Sequence, residues 1–461
     1  MRALFLFLLL FFNFSRPILA SDNIFGLHLT QVGDIGSAKA IINSSNGDWG
    51  WATIVIRPDQ LNQNTWQEFF DNCRKYHIIP IIRLASTMQG PVWAKPSKEE
   101  IDQVSCFLNS LIWPTKEQYV ILYNEINHAQ EWGGTVNPKE YADTVIYASN
   151  RFKSLNPNFF ILSGGLDLSA PSKLPDFESA QNIYQQIYDY KPDFFDHIDG
   201  IASHSYPNHG FVGTPLDNGE HSILGYKWEL QFVQSLGVQK TFPVFITETG
   251  WPHREGIKNN NTFYTTQTTS DFLIDALQIW SADKTVQAVT PFMYNFPNEP
   301  FDHFSWLDKK ETLFPNYQKL VDLPKLKNDP EQIIKYEATS IHLPFLIFAN
   351  NEYTGQINIK NTGQSIWNEK KQFCLDPQTT TDVSAEKICI NPNTLVYPRQ
   401  TYTFNFKFKI SPNDSHSGKT FISWTNLSEF EITPLTPGAN IYRPKTGIVD
   451  QIFSFFKKLV K

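Results

Sequence analysis

The sequence has no excess of positive charge, no cysteines at metal-ligand spacing and no phosphate-binding glycine turn. Beyond its first residues it also has no apolar run long enough to cross a bilayer. Each absence excludes something. Lys and Arg number 39 against 46 Asp and Glu, a net charge of −7, which argues against nucleic acid as a partner, since that role favours a basic patch. Neither Cys73 and Cys106 nor Cys374 and Cys389 are spaced as zinc ligands. The first candidate strand runs into Gly26-Leu-His-Leu-Thr30. That is not G-x-G-x-x-G, which counts against an open, doubly wound dinucleotide fold.

The one long apolar run is N-terminal. Met1-Arg2 precedes Ala3 to Phe12, and Ser15-Arg-Pro-Ile-Leu-Ala20 follows. This reads as a secretory signal peptide over residues 1–20, with a secreted or cell-surface location as its consequence; an uncleaved membrane anchor is the competing reading. Export favours disulfides. Cys374 and Cys389 flank a polar loop between apolar segments and are expected to form one. Cys73 and Cys106 fall in successive helical stretches, where pairing and buried thiols both stay open.

With 461 residues and 41% apolar side chains, the chain has room for one large domain and one small one. Candidate strands at 24–30, 51–57, 78–85, 119–125, 159–165, 199–206, 242–248 and 286–294 alternate with helical segments such as 61–77, 138–155 and 270–282. Eight βα repeats over about 300 residues predict a closed parallel (β/α)8 TIM barrel over residues 22–322. A charged linker with Pro330 occupies 323–335. Beyond it helical periodicity gives way to alternation, as in Thr401-Tyr-Thr-Phe-Asn-Phe-Lys-Phe-Lys-Ile410, which predicts a small all-β sandwich over 336–434. Residues 435–461 are a Pro/Gly-rich tether and a short segment with Ile448, Ile452, Phe455, Phe456 and Leu459 on one helical face. That segment suits a membrane surface or packing on a partner or on its own chain.

Two apolar strands run straight into glutamates: Tyr119-Val-Ile-Leu-Tyr-Asn-Glu125 and Phe242-Pro-Val-Phe-Ile-Thr-Glu248. In a βα-barrel, polar residues at strand carboxyl ends belong to the functional face. A pair of carboxyl groups there is what acid/base plus nucleophilic chemistry on a glycosidic bond requires. The same reading offers His28, Arg57 after strand two, Arg83 as the less favoured arginine, Asn124, Asp167 as a cap or loop residue, and His204 and Tyr206. It adds Tyr294, Asn295 and then Trp306.

An Asn-Glu pair ending strand four and a Glu ending strand seven, with His-x-Tyr on strand six and Thr247-Glu-Thr-Gly-Trp-Pro252, resemble clan A of the glycoside hydrolases. These are retaining (β/α)8 enzymes that include cellulases, mannanases and β-xylosidases. The resemblance implies a retaining glycoside hydrolase that cleaves O-glycosyl bonds of a β-linked polysaccharide or oligosaccharide, without metal or organic cofactor. It implies Glu125 as acid/base, Glu248 as nucleophile, Asn124 on the sugar 2-hydroxyl and Trp306 as the platform beneath the sugar. Arg57 and Tyr206 are suited to hold Glu248 ionised, and His204 to order the site or touch substrate. Trp93, Trp132 and Trp251 are candidates to extend the cleft, though packing is the plainer reading of Trp93 and Trp132. A catalytically dead carbohydrate-binding barrel and a transglycosylase using the same site are the competing functions. In the small domain, Asn361-Thr-Gly-Gln-Ser-Ile-Trp367 resembles a turn of an Ig-like domain found in many exported bacterial proteins, with Pro412, Gly418 and Trp424 as further matches. It implies a packing, spacer or binding module.

Overall fold

The computed structural model describes residues 22–411 and 420–432. The proposed signal peptide, Pro412, Gly418 and the C-terminal tether and amphipathic segment therefore lie outside the described residues. The chain divides into two compact units between Glu331 and Gln332.

The first unit is a parallel eight-stranded barrel. Its strands are β1 (Gly26–His28), β2 (Gly50–Ile56), β3 (Ile78–Leu84), β4 (Gln118–Leu122), β5 (Phe159–Ser163), β6 (Gly200–Ser203), β7 (Val244–Ile246) and β8 (Val286–Val289), paired in that order. A parallel bridge from Phe25 to Val289 joins the two ends of the sheet, with Val289 N–H donating to the Ile24 carbonyl at 2.7 Å. Around it lie α1 (Ile35–Ile42), α2 (Gln63–Lys75), α3 (Lys98–Ser110), α4 (Pro138–Leu155), α5 (Ala180–Tyr190), α6 (Gly225–Ser235), α7 (Thr266–Ser281) and the short α8 (Gln318–Asp322). Local chemistry marks several of their starts. Ser97 and Glu100 form a reciprocal capping box on α3, and Asn137 caps α4 with Pro138 in its first turn.

Strand alternation sorts side chains into two cores. One parity packs against the helices. The other fills the barrel: Trp51 on β2, Ile79 and Ile81 on β3, Tyr119 and Ile121 on β4, Leu162, Ala202, Phe245 and Ala288. Extending these inward rows toward the carboxyl ends gives Arg83 on β3, His204 after β6 and Phe292 after β8. Gly26 is required where it stands, because a Cβ there would meet the Trp51 carbonyl oxygen at 2.5 Å.

Cys73 is a buried thiol within α2, and Cys106 is an exposed thiol on α3 that receives a hydrogen bond from Arg151. The two are not bonded to each other.

The second unit is all-β. Its strands are β9 (Tyr336–His342), β10 (Glu352–Asn361), β11 (Cys374–Leu375), β12 (Val383–Ala385), β13 (Ile388–Cys389), β14 (Thr401–Ile410), β15 (Thr420–Ile422) and β16 (Phe430–Ile432). They form an antiparallel sheet in the order β9-β10-β14-β12 and two small pairs, β11-β13 and β15-β16. Ile357, Ile359, Phe404, Phe406 and Phe408 alternate into its core with Trp367 and Trp424. Cys374 and Cys389 face each other across β11-β13 and are disulfide-bonded. In the Asn361–Trp367 turn, the Asn361 amide donates to the Ser365 and Val396 carbonyls. Gly363 serves close approach there: a Cβ would meet the Ile333 carbonyl oxygen at 2.4 Å.

Candidate active site

The carboxyl ends of the barrel strands enclose a cavity of about 440 Å³. Glu125 and Glu248 both line it. One carboxylate oxygen from each, together with a ring nitrogen of His204, lie within 4.8 Å of one another. The two glutamates therefore meet across the barrel mouth, although 122 positions separate them in sequence.

Glu125 reaches the cavity through a break in strand alternation. Tyr123 adopts φ 70° and Glu125 φ 31°, left-handed values that cost a side-chain-bearing residue roughly 1–2 kcal/mol each. The first turns the Tyr123 ring into the outer core beside Trp132. Asn124 and Glu125 are then both free to line the cavity. The Glu125 N–H donates to the Gly165 carbonyl at 2.8 Å, which ties the loop to the end of β5.

His204 is buried behind the two carboxylates rather than in the cavity lining. Its Nδ1 lies 2.8 Å from Glu125 Oε1 and 3.8 Å from Glu248 Oε2. Of the two readings of His204, ordering the site is the one the geometry carries: the ring is buried and braces Glu125. Burial works against its charge, but the charge of Glu248 and the bond and charge of Glu125 raise its pKa above the ordinary value. Gly165 makes room for the ring, since a Cβ at that position would lie 2.3 Å from His204 Cδ2.

Glu248 is held from three sides. Arg83 Nη1 donates to its Oε1 at 2.9 Å, and the Tyr206 hydroxyl donates to Oε2 at 3.3 Å. His28 Nδ1 lies 4.0 Å from Oε1. Burial raises the Glu248 pKa, yet His204, Arg83 and His28, with the Tyr206 hydrogen bond, outweigh it and hold the carboxyl below its usual range. His28 itself is pushed down to about 4, mainly by burial. At 3.3 Å its Nδ1 meets the Thr247 carbonyl, which only accepts, so the ring proton sits on Nδ1.

Two further assignments need correction. Arg57 does not reach Glu248. It lies one residue past β2 and forms a two-bond pair with Asp59, at 2.9 and 3.0 Å. Register explains the exchange of arginines: Arg83 pairs with Val55, two residues below Arg57, and Val55 and Arg83 both line the cavity. Trp306 is not a platform. It is 1% exposed and stacks on Tyr317 with centroids 4.8 Å apart, within the outer core. The aromatic wall is instead made by Phe292, Phe296, Phe301 and Phe304 after β8, with Phe211 and Tyr206. Trp93 lines the cavity as well, whereas Trp132 and Trp251 are buried packing residues.

Three more groups in the lining were not among the candidates or were read as structural. Asp167 pairs with His128 at 2.8 Å. Glu131 is a further carboxylate, beside Glu125, Asp167 and Glu248, that burial pushes up to about 7. It lies on a single 3-10 turn, Ala129–Glu131, and no pattern in the sequence separates it from an ordinary loop glutamate. Glu125, His204 and Glu248 also have the spacing of a three-ligand metal site, but the Arg83 guanidinium already supplies a fixed cation bonded to Glu248.

No protein-family model matches the chain, and no curated protein does. Solved structures similar to it include a monomeric β-xylosidase from Caulobacter crescentus CB15. That pair shares 10% identity over 86% of this chain and 98% of the other, with a TM-score of 0.46. A glucosidase from Croceicoccus marinus has 9% identity over 86% and 98% of the two chains, with a TM-score of 0.49. An α-L-arabinofuranosidase from Thermotoga maritima has 12% identity over 85% and 98%, with a TM-score of 0.43.

Proposed function

We propose that this chain is a retaining glycoside hydrolase that cleaves a β-linked glycan by double displacement, with Glu248 as nucleophile and Glu125 as acid/base. The observation that carries the reading is the 4.8 Å limit on the approach of the two carboxylates. Retaining enzymes hold their carboxyl groups about 5–5.5 Å apart, whereas inverting ones need roughly 6.5–9.5 Å to admit a water. Arg83, Tyr206 and the nearby histidines favour an ionised Glu248, as a nucleophile requires. Glu248 attacks the anomeric carbon while Glu125 gives its proton to the leaving oxygen. Glu125 then takes a proton from water as that water releases the sugar from Glu248. The aromatic wall offers apolar faces for the sugar ring.

The experiment is a panel of β-glucans, mannans, xylans and aryl β-glycosides, read for turnover and product anomer, followed by trapping with a 2-deoxy-2-fluoro glycoside. Net retention and a covalent sugar on the peptide containing Glu248 are expected. Inverted product, or an adduct elsewhere, would overturn the assignment. We further infer export through residues 1–20 and a membrane-surface or partner contact through 448–461. N-terminal sequencing of the exported protein tests the first, and fractionation after deleting 448–461 tests the second.

A further inference from the structure

The loop after β7 runs on from Glu248 through Gly250, Trp251 and Pro252 to His253. No step of the double displacement uses His253, yet its side chain has no exposed surface. Its ring packs edge-on against Phe314, with centroids 4.8 Å apart. Nε2 lies 2.8 Å from the Ser305 carbonyl. A carbonyl only accepts, so the ring proton sits on Nε2 and is donated to Ser305. Burial lowers the His253 pKa, which keeps the ring neutral and leaves Nδ1 a bare acceptor. That nitrogen has no hydrogen-bond partner among the described residues; Glu255 Oε2 stands 3.6 Å away, beyond bonding distance. A buried, unpaired nitrogen costs stability, so the satisfaction of polar groups does not account for a histidine here. What the histidine supplies is one donor, aimed at Ser305.

Ser305 joins two residues of the aromatic wall. It directly follows Phe304, and its hydroxyl accepts the Phe296 N–H at 3.0 Å and donates to the Leu307 carbonyl at 2.7 Å. The main chain reinforces the junction. His253 N–H donates to the His303 carbonyl, and His303 Nδ1 donates to the His253 carbonyl, both at 2.7 Å. Gly256 lets the two loops close, since a Cβ there would lie 2.5 Å from both Asp302 Oδ2 and His303 Cε1. The Phe304 ring meets Phe292, Phe211 and Tyr206 edge-on, and the Tyr206 hydroxyl donates to Glu248. One loop therefore carries the Glu248 carboxylate and, five residues later, the footing of the wall that faces it.

We propose that His253 is a positioning residue for substrate binding: by holding Ser305 it sets where Phe296 and Phe304 stand relative to Glu248, and so where a sugar ring rests. The proposal rests on the glycosidase reading above. The test is kcat and KM for an aryl β-glycoside that the wild type cleaves. Contact with an apolar face is made in the ground state and the transition state alike, so its loss raises KM and spares kcat. His253→Leu is expected to raise KM roughly 10-fold, short of the roughly 100-fold that misplacing a reacting group costs, with kcat within about threefold. His253→Phe keeps a ring against Phe314 but has no N–H; it should show the same rise, and it serves if the leucine variant does not fold. His253→Gln, whose amide N–H has a comparable reach, should bring KM back to within about threefold of wild type. The rise must also act through the wall. In a chain that already carries Phe296→Ala and Phe304→Ala, losing the His253 donor should add less than about twofold, since residues acting through one another are not additive. The same factor with and without the two rings would overturn the proposal. So would a loss carried by kcat alone, an unchanged KM in the leucine or phenylalanine variant, or a glutamine variant as impaired as either. Failure of the wild type to cleave any glycoside would sink the glycosidase reading, and this proposal with it.

Discussion

Replacing Glu229 by glutamine should remove a specific pH dependence from the stability of the barrel. Glu229 lies on α6 with no exposed surface. The Tyr184 hydroxyl donates to its Oε1 at 2.7 Å, and the Ser203 hydroxyl donates to Oε2. Burial pushes its carboxyl from 4.5 up to about 7; Ser203, Tyr184 and the charge of His204 pull it only part of the way back. Because the folded pKa is the higher one, the folded state keeps this proton while the unfolded chain has released it. The stabilisation is complete below about pH 4.5 and is lost as pH rises toward 7. A shift of about 2.5 units at 1.36 kcal/mol each gives about 3 kcal/mol. For a unit of roughly 300 residues that corresponds to a melting shift of about 5 °C. The assay is the melting temperature of wild type and Glu229→Gln, followed by tryptophan fluorescence from pH 4.5 to 8. The difference between the curves isolates Glu229 from every other titrating group. The wild type should lose about 5 °C relative to the variant between pH 4.5 and 7, with little further change above. A difference that stays flat with pH, or one that grows as pH falls, would refute the reasoning.

Glu248→Gln and Glu125→Gln should each lower kcat on an activated aryl glycoside by at least roughly 10²–10⁴-fold, measured by aglycone release. The acidic limb of kcat/KM should fall below pH 4.5, because Glu248 is held under its ordinary range. Arg83→Met, which removes a cation that favours the carboxylate, should move that limb upward. Arg57→Ala should leave both the limb and kcat/KM within about twofold of wild type, as expected for a substitution away from the site. Gly165→Ala should displace His204 and, through it, Glu125; a loss in kcat with the melting temperature lowered by only a few degrees is the expected signature.

Several features of the site could be read along the chain. An apolar strand ending in a glutamate is a local pattern, and it marked both Glu125 and Glu248. His204 and Tyr206 follow β6 at a spacing of two, so both stay on the inward row that begins with Ala202. The rows also carried information that residue type concealed. Ile79, Ile81 and Arg83 alternate inward, as do Ala288, Thr290 and Phe292, so extending the rows would have selected Arg83 and Phe292. Trp306 looks more suitable by type alone, and Arg57 is favoured only by its place directly after the second strand. Glu131 was not legible in this way, because a loop residue on one turn of 3-10 helix has no period to betray its direction.

Sequence alone determined the alternation of strand and helix, the change to an all-β segment beyond a linker that begins near residue 325, and which strands end in carboxylates. Each follows from local patterning, where burial sets the period of the apolar residues. The tertiary structure decided what those strand ends do to one another. Barrel closure brings β4 and β7 face to face, strand register places Arg83 rather than Arg57 level with the carboxylates, and left-handed backbone at Tyr123 and Glu125 turns the acid inward. Those choices depend on stagger between strands and on single φ values, and neither leaves a repeat in the order of the residues.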